Sequence, residues 1–230
     1  MRVTCDWGVN ALANVPPEAV VVIVDVFSFS TAVTIACGRG ARIYPCPWND
    51  ERAAELARAE GATLASKTRE SAFSLSPAAL REIPIGAHMV LPSRNGSAIA
   101  FAAREAGFAS IAAGCLRNAA AVARWIDNRP VAIIACGERW PDDSLRFAIE
   151  DWIGAGAIIA RLPHARSVEA EAAAAAFERL RAGLGDSLAA SASGRELIEA
   201  GRESDVEVAS ELDADDLIPI LDGAAFRGTR

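Results

Sequence analysis

Short apolar runs without polar alternation recur along the chain, separated by longer stretches in which alanine and leucine return at helical spacing. The runs at 20–24, 41–44, 88–91, 110–113 and 131–134, with a further one at 157–160, predict strands covered on both faces. The intervening pattern predicts helices over 30–36, 49–60, 97–106, 118–128 and 144–154, then a long alanine-rich helix over 167–182 and shorter ones over 193–200 and 205–211. The helix in "NDERAAELARAEGA" carries its own punctuation: Asn49 or Asp50 caps it, acids crowd its first turn and Gly61 stops it. Periodicity fades between Leu64 and Pro84, and "SKTRESAFSLSP" reads as a loop.

Strands alternating with helices predict an α/β fold, with mainly parallel or mixed sheets and helices packed on both faces. Residues 1–160 are expected to form the main α/β region. Residues 161–230 are expected to form a helical and mixed region packed on the same structure. The tail "ELDADDLIPIL" is acidic, yet Leu212, Leu217, Ile218 and Ile220 mark it as a packed terminal segment.

At 230 residues and 52% hydrophobic, the chain is long enough for one substantial core. A net charge of -7 argues against non-specific nucleic-acid binding, which needs a basic face. The N-terminus has no secretory h-region, and no apolar run reaches a membrane span, so no membrane partner is expected. Cys5, Cys37, Cys46, Cys115 and Cys136 are odd in number, widely spaced and without a CxxC, the pattern of reduced thiols in a cytoplasmic protein. His88 and His164, the two histidines, do not make a histidine-based zinc site.

Ligands of open parallel sheets sit beyond the carboxyl ends of the strands, so the strand-to-helix junctions hold the candidate chemistry. In "VVIVDVFSFSTAV" the strand stops on Asp25, which either positions a hard cation or water, or satisfies local amides in a turn capped by Ser28 or Ser30. In "VLPSRNGSAIAFA", Asn95, Gly96 and Ser97 offer amides and a hydroxyl to a phosphate, and Arg94 adds charge; "NG" is also a common turn. Arg117 and Asn118 occupy a third junction, as an anion ligand and a helix cap respectively. The fourth, "ACGERWPDDSLRFAIEDWIGAG", contains Glu138, Arg139, Asp142 and Asp143 before a helix that Ser144 can cap. Within that helix Arg146 and Glu150 are spaced to pair, and Asp151 points another way. Carboxylates, amides and arginines together suit a metal-assisted phosphate-ester hydrolase, whereas no GxSxG elbow supports acyl transfer.

These stretches resemble the 2-phosphosulfolactate phosphatase, or ComB-like, family almost end to end. The likeness is carried by "VVIVDVFSFSTAVTIACGRGA", "SRNGSAIA", "GCLRNAAAVARWI", "GERWPDDSLRFAIEDWIGAGAII" and "SGRELIEAGRESDVEVASELDADDLIPIL". The resemblance implies a ComB-like fold and a magnesium-dependent hydrolysis of (R)-2-phospho-3-sulfolactate to 3-sulfolactate and phosphate, a reaction of coenzyme M biosynthesis. It also implies correspondences for the strand-end aspartate (Asp25), the turn threonine (Thr31), the NG-hydroxyl signature (Asn95, Gly96, Ser97), the junction asparagine (Asn118) and the acidic pair (Glu150, Asp151).

Three departures stand out. Ser28 replaces the usual arginine after the aspartate, "PSRNGS" replaces T-T-N-G-T, and only Ser76-Pro77 survives of N-S-P. The resulting expectation assigns catalysis to Asp25 and Glu150 and Mg2+ binding to Asp25, Glu150 and Asp151. A small anionic phosphorylated substrate would be gripped by Thr31, Arg94, Asn95, Gly96, Ser97, Arg117 and Asn118, with Arg94 restoring the charge missing at Ser28. The alternative is a non-catalytic anion-binding or assembly protein that keeps the scaffold. A homo-oligomer is compatible with either, although no interface shows in the sequence.

Overall fold

The computed structural model describes residues 2–66 and 73–230, so the part of the expected loop at 67–72 lies outside the described residues. The strands are β1 (Arg2–Trp7), β2 (Val20–Val24), β3 (Arg42–Cys46), β4 (Thr63–Leu64), β5 (His88–Pro92) and β6 (Ile111–Gly114). They continue with β7 (Val131–Ala135), β8 (Glu138–Arg139), β9 (Leu145–Arg146), β10 (Ala165–Arg166), β11 (Ile218–Asp222) and β12 (Ala225–Thr229). The helices are α1 (Phe29–Gly38), α2 (Glu51–Ala59), α3 (Pro77–Leu80), α4 (Gly96–Glu105) and α5 (Ala119–Ile126). After them come α6 (Ile149–Ile159), α7 (Val168–Leu180), α8 (Leu184–Ala189), α9 (Ala192–Glu199) and α10 (Glu203–Ala209).

Ten strands form one mixed sheet in the order β10-β1-β7-β2-β6-β11-β12-β3-β5-β4, and β8-β9 is a separate ribbon. Two blocks are parallel, β10-β1-β7-β2-β6 and β3-β5-β4. The antiparallel hairpin β11-β12 joins them through single residue pairs, Ile220 with Ala112 and Phe226 with Ile43. The last strands in sequence therefore lie in the middle of the sheet.

Strand β2 shows why its run lacks alternation. Val20, Val22 and Val24 face a core shared with α5, α6 and α7, whereas Val21 and Ile23 face a second core with α1 and α4. Both pleat faces are dry, so every position is apolar. A smaller cluster sets Tyr44, Cys46 and Val90 against Ala53 and Ala57 of α2. That helix has the expected ends, with Asp50 Oδ1 accepting from Arg52 N at 3.0 Å and Gly61 at φ +57°. All five cysteines are buried and unpaired, and burial pushes the Cys5 and Cys37 thiols up to about 12. Among the described residues no helix is long and apolar enough to cross a membrane.

Three readings of the pattern need correction. The run at 157–160 belongs to α6 and its end, not to a strand. It is wholly apolar because α6 lies between β2 and α7, so close that a Cβ on Gly156 would stand 2.0 Å from the Ala173 carbonyl oxygen. The helix expected over 144–154 begins only at Ile149, since Leu145 and Arg146 pair with Arg139 and Glu138 in the ribbon, and Ser144 bonds to Asp142. The pattern does not predict strands β1, β11 and β12, nor the two-residue strands β4, β8, β9 and β10. In β1, Val3 and Cys5 are buried between the outward-facing Arg2, Thr4 and Asp6, an alternation that a search for continuous apolar runs passes over.

Phe226 is fully buried, sits edge-on to Phe29 at a ring separation of 5.9 Å and lies at the join between the blocks. Replacing it with alanine is expected to remove about 3–5 kcal/mol of stability. The measurement is a urea unfolding curve, in which the midpoint should fall while the slope stays as in the wild type.

Candidate active site

Asp25 is the first residue after β2 and is buried. Its Oδ1 accepts from Phe29 N at 3.0 Å, and its Oδ2 accepts from Gly96 N at 3.1 Å, so one carboxylate ties the start of α1 to the start of α4. Ser30 Oγ closes the turn by donating to Ile23 O at 2.8 Å and accepting from Asp25 N at 3.1 Å. Thr31 Oγ1 donates to Val26 O at 2.9 Å. Gly96 has to be glycine: a Cβ there would lie 2.2 Å from Phe29 Cδ1. Asp151, in the first turn of α6, repeats the device by accepting from Val26 N at 2.7 Å and Gly137 N at 2.8 Å. The ends of β2, β5 and β7 are thus drawn together by two buried acids.

Beside this knot lies a cavity of about 520 Å³. Asp25, Ser28, Ser93, Arg94, Asn95 and Glu138 line it, and Ser193, Glu196 and Arg202 approach from the C-terminal helices. Asn95 spans the site, donating from Nδ2 to Glu138 Oε2 at 3.1 Å and accepting at Oδ1 from Arg139 Nε at 3.3 Å. Arg94 is largely exposed and holds Asp143 only at 3.5 Å.

The expected site residues therefore divide. Asp25, Arg94 and Asn95 reach the cavity, and the Gly96 amide supports Asp25. Thr31 and Ser97 are buried behind it, with the Ser97 hydroxyl donating to Leu91 O at 2.6 Å. The amides read as a phosphate cradle already have partners at two positions, since Asn95 N donates to Ser93 Oγ and Gly96 N to Asp25. Arg117 and Asn118 are not brought to this cavity. Arg117 is paired with Asp215 and Glu211 on the wall of a separate cavity, and Asn118 is consumed by Cys115 N, Ala113 O, Thr34 Oγ1 and Leu217 O. Arg146 pairs with Glu196 rather than Glu150.

The sequence pattern places Glu138 among loop charges and singles out neither it nor Ser193 and Arg202. Their only local signal is the helix punctuation "EAGR", which places Arg202 just before α10.

Four acids crowd one region. Burial pushes the Asp25 carboxyl up to about 7, Glu138 and Glu150 add to the rise, and the Phe29 and Gly96 N–H groups oppose it. Asp151 is raised well above the carboxylate range, first by burial and then by Asp25 and Glu150. Glu150 is raised by burial against the opposing Ser193 hydroxyl, and its Oε2 is buried without a partner among the described residues.

Among the described residues no group of three or more metal-ligating side chains stands ready for a cation. Magnesium does not need one, because it keeps several waters and takes one or two carboxylates plus substrate oxygens. Asp25 and Glu138, two acids on the cavity wall, fit that requirement, and a cation there would offset their repulsion. Asp151 does not fit as a direct ligand, since it is buried away from the wall, bonded to Val26 N and Gly137 N.

The raised acids set the sign of a pH effect. The folded form of Asp25 binds its proton more tightly than the unfolded chain does, so its contribution to stability is full at low pH and is lost as pH rises from about 4 to about 7. Urea unfolding in EDTA should show stability falling over that window. Asp25→Asn should flatten the fall while lowering the whole curve, because its NH2 group confronts an N–H donor.

The sequence has counterparts in known proteins. Residues 10–224 match the family model for 2-phosphosulpholactate phosphatase. The chain is also 31% identical over 228 residues to a protein of Carboxydothermus hydrogenoformans named "Probable 2-phosphosulfolactate phosphatase", covering 95% of this chain and 92% of the relative. With its mixed sheet and two faces of helices, the chain belongs to the 2-phosphosulfolactate phosphatase family.

Proposed function

We propose that the protein is a phosphatase that hydrolyses the monoester of (R)-2-phospho-3-sulfolactate, or of a related small phosphorylated acid, to phosphate and the hydroxy acid. The observation that carries this reading is Asp25, immobilised by two N–H donors at the wall of a cavity that also presents Arg94, Ser93 and Asn95. Rigid placement matters because phosphoryl transfer is catalysed mainly by positioning and charge stabilisation.

In this reading Asp25 and Glu138 would hold Mg2+, which when bound supplies Lewis-acid polarisation of the phosphoryl oxygens. Arg94 and the side chains of Ser93 and Asn95 receive the phosphate oxygens. Asn95 is oriented by Glu138 and Arg139, so it meets the substrate in one rotamer. Asp151, Thr31 and Ser97 hold the loops that carry these groups. Glu150 stands beside Ser193 as a buried acid close to the wall. Water attacks phosphorus as the ester P–O bond breaks, and the leaving alkoxide takes up the proton that the water gives up, so that the products are the hydroxy acid and hydrogen phosphate. Both Asp25 oxygens already accept N–H bonds, which favours water over Asp25 as nucleophile.

The occupied amides of Asn95 and Gly96, with Ser28 in place of arginine, favour a second reading, a protein that binds phosphorylated acids without turning them over. Phosphate release from phosphosulfolactate and a panel of phosphorylated hydroxy acids, in Mg2+ and in EDTA, separates the two. The phosphatase reading expects release only with Mg2+, reduced ~100-fold or more in Asp25→Ala. Release from no panel member by folded protein would leave the binding reading.

A further inference from the structure

Arg202 reaches the cavity from a part of the chain remote from Asp25 and Arg94, the turn that joins α9 to α10. Its Nε donates to Asp205 Oδ2 at 2.8 Å. Asp205 is itself buried, and its Oδ1 accepts from the Ser76 hydroxyl and from Ala78 N at the start of α3. The guanidinium is therefore held at one nitrogen by a carboxylate that is braced from two sides. Its Nη2 is buried and has no hydrogen-bond partner among the described residues. A buried cationic donor without an acceptor is an expensive arrangement for folding alone to maintain.

The neighbouring acid does not explain it. Glu196 also lines the cavity, but both its oxygens are taken by the fork of Arg146, at 2.5 and 2.8 Å. Among the described residues the cavity wall then carries two arginines on different elements, Arg94 ahead of α4 and Arg202 ahead of α10, each with donors not fully used. A guanidinium fixed through Nε keeps its outer N–H groups for a planar or tetrahedral oxyanion. A phosphomonoester with a second acid group can engage both arginines, whereas one without it engages only the Arg94 end.

We propose that Arg202, positioned by Asp205, is a specificity-determining residue that receives a second anionic group of the substrate, a carboxylate or a sulfonate, while the phosphate lies beside Asp25 and Arg94. This rests on the phosphatase reading for its catalytic arm only. The test compares wild type with R202Q on four Mg2+-loaded substrates: 2-phosphosulfolactate, 2-phospholactate, 2-sulfoethyl phosphate and ethyl phosphate. The ratio of kcat/KM for an acid-bearing substrate to that for ethyl phosphate should fall ~10–100-fold, mainly through KM, as expected for losing a charge-assisted bond. A fall confined to 2-phospholactate and phosphosulfolactate assigns the carboxylate; one confined to the sulfonated pair assigns the sulfonate. R202K should lie between wild type and R202Q, and it replaces R202Q should that variant not fold. Ratios that stay at the wild-type value, whether activity falls uniformly or not at all, overturn the proposal. If wild type hydrolyses none of the four, the phosphatase reading fails, and calorimetry with 3-sulfolactate decides the role of Arg202. Weaker binding by R202Q sustains that role; equal binding, or none by wild type, overturns it.

Discussion

The carboxylate of Asp25 accepts N–H bonds from Phe29, four residues on, and from Gly96, 71 residues on. Without that pair of bonds nothing in the local sequence would hold the two loops that face the cavity in one register. A strand that ends on an acid is normally a turn solved locally. Here half of the acid solves its own turn and the other half clamps a distant helix start. Asp151 performs the same division of labour between Val26 N and Gly137 N, so the loops after β2, β5 and β7 are held by two side chains with every carboxylate oxygen engaged. The bare backbone of Gly96 is part of this device, since any side chain there would strike Phe29 and lift the amide away from Asp25.

Using buried acids as clamps has an electrostatic consequence. Each additional carboxylate makes the others harder to ionise, and Asp25, Glu150 and Asp151 are all pushed upward, chiefly by burial and then by one another or by Glu138. Desolvation favours the neutral acid, while the amides that define the geometry favour the anion. That balance leaves the cluster most strained where it is fully ionised. A cation at the cavity wall relieves it most directly at Asp25 and Glu138, which the wall exposes. The same charges that frame the site thus generate its demand for positive charge, from a metal ion or from arginine.

Much of the fold is legible in the sequence because β2, β5, β6 and β7 are buried on both faces and read as unbroken apolar runs. What escapes is governed by contacts far along the chain. The run "AGAIIA" is apolar as a helix between a sheet and another helix, and length alone would have had to decide it. The hairpin β11-β12 is half exposed, and only its neighbours make it the bridge of the sheet. The site divides in the same way. Asp25, Arg94 and Asn95 sit at strand ends and could be read from position alone. Arg117 and Asn118 sit at an equivalent junction, yet the C-terminal segment supplies Glu211, Asp215 and Leu217 as their partners. Position at a strand end predicts access to a site, but only the rest of the chain determines whether the side chain remains free to use it.

That contrast explains why the two arginines differ. Arg117 is surrounded by acids that complete it, and its guanidinium is an element of the scaffold. Among the described residues Arg202 has one acid, and Asp205 is shared among Arg202, Ser76 and Ala78. Sharing leaves Asp205 fully bonded while the guanidinium it anchors is not. A side chain held firmly on one edge and unsatisfied on the other is pre-organised for an anion, because the rotamer entropy of a long arginine is already spent when the ligand arrives. The C-terminal helices thereby add to the cavity a second cation beside the exposed Arg94, one anchored at Nε and without a partner at Nη2 among the described residues.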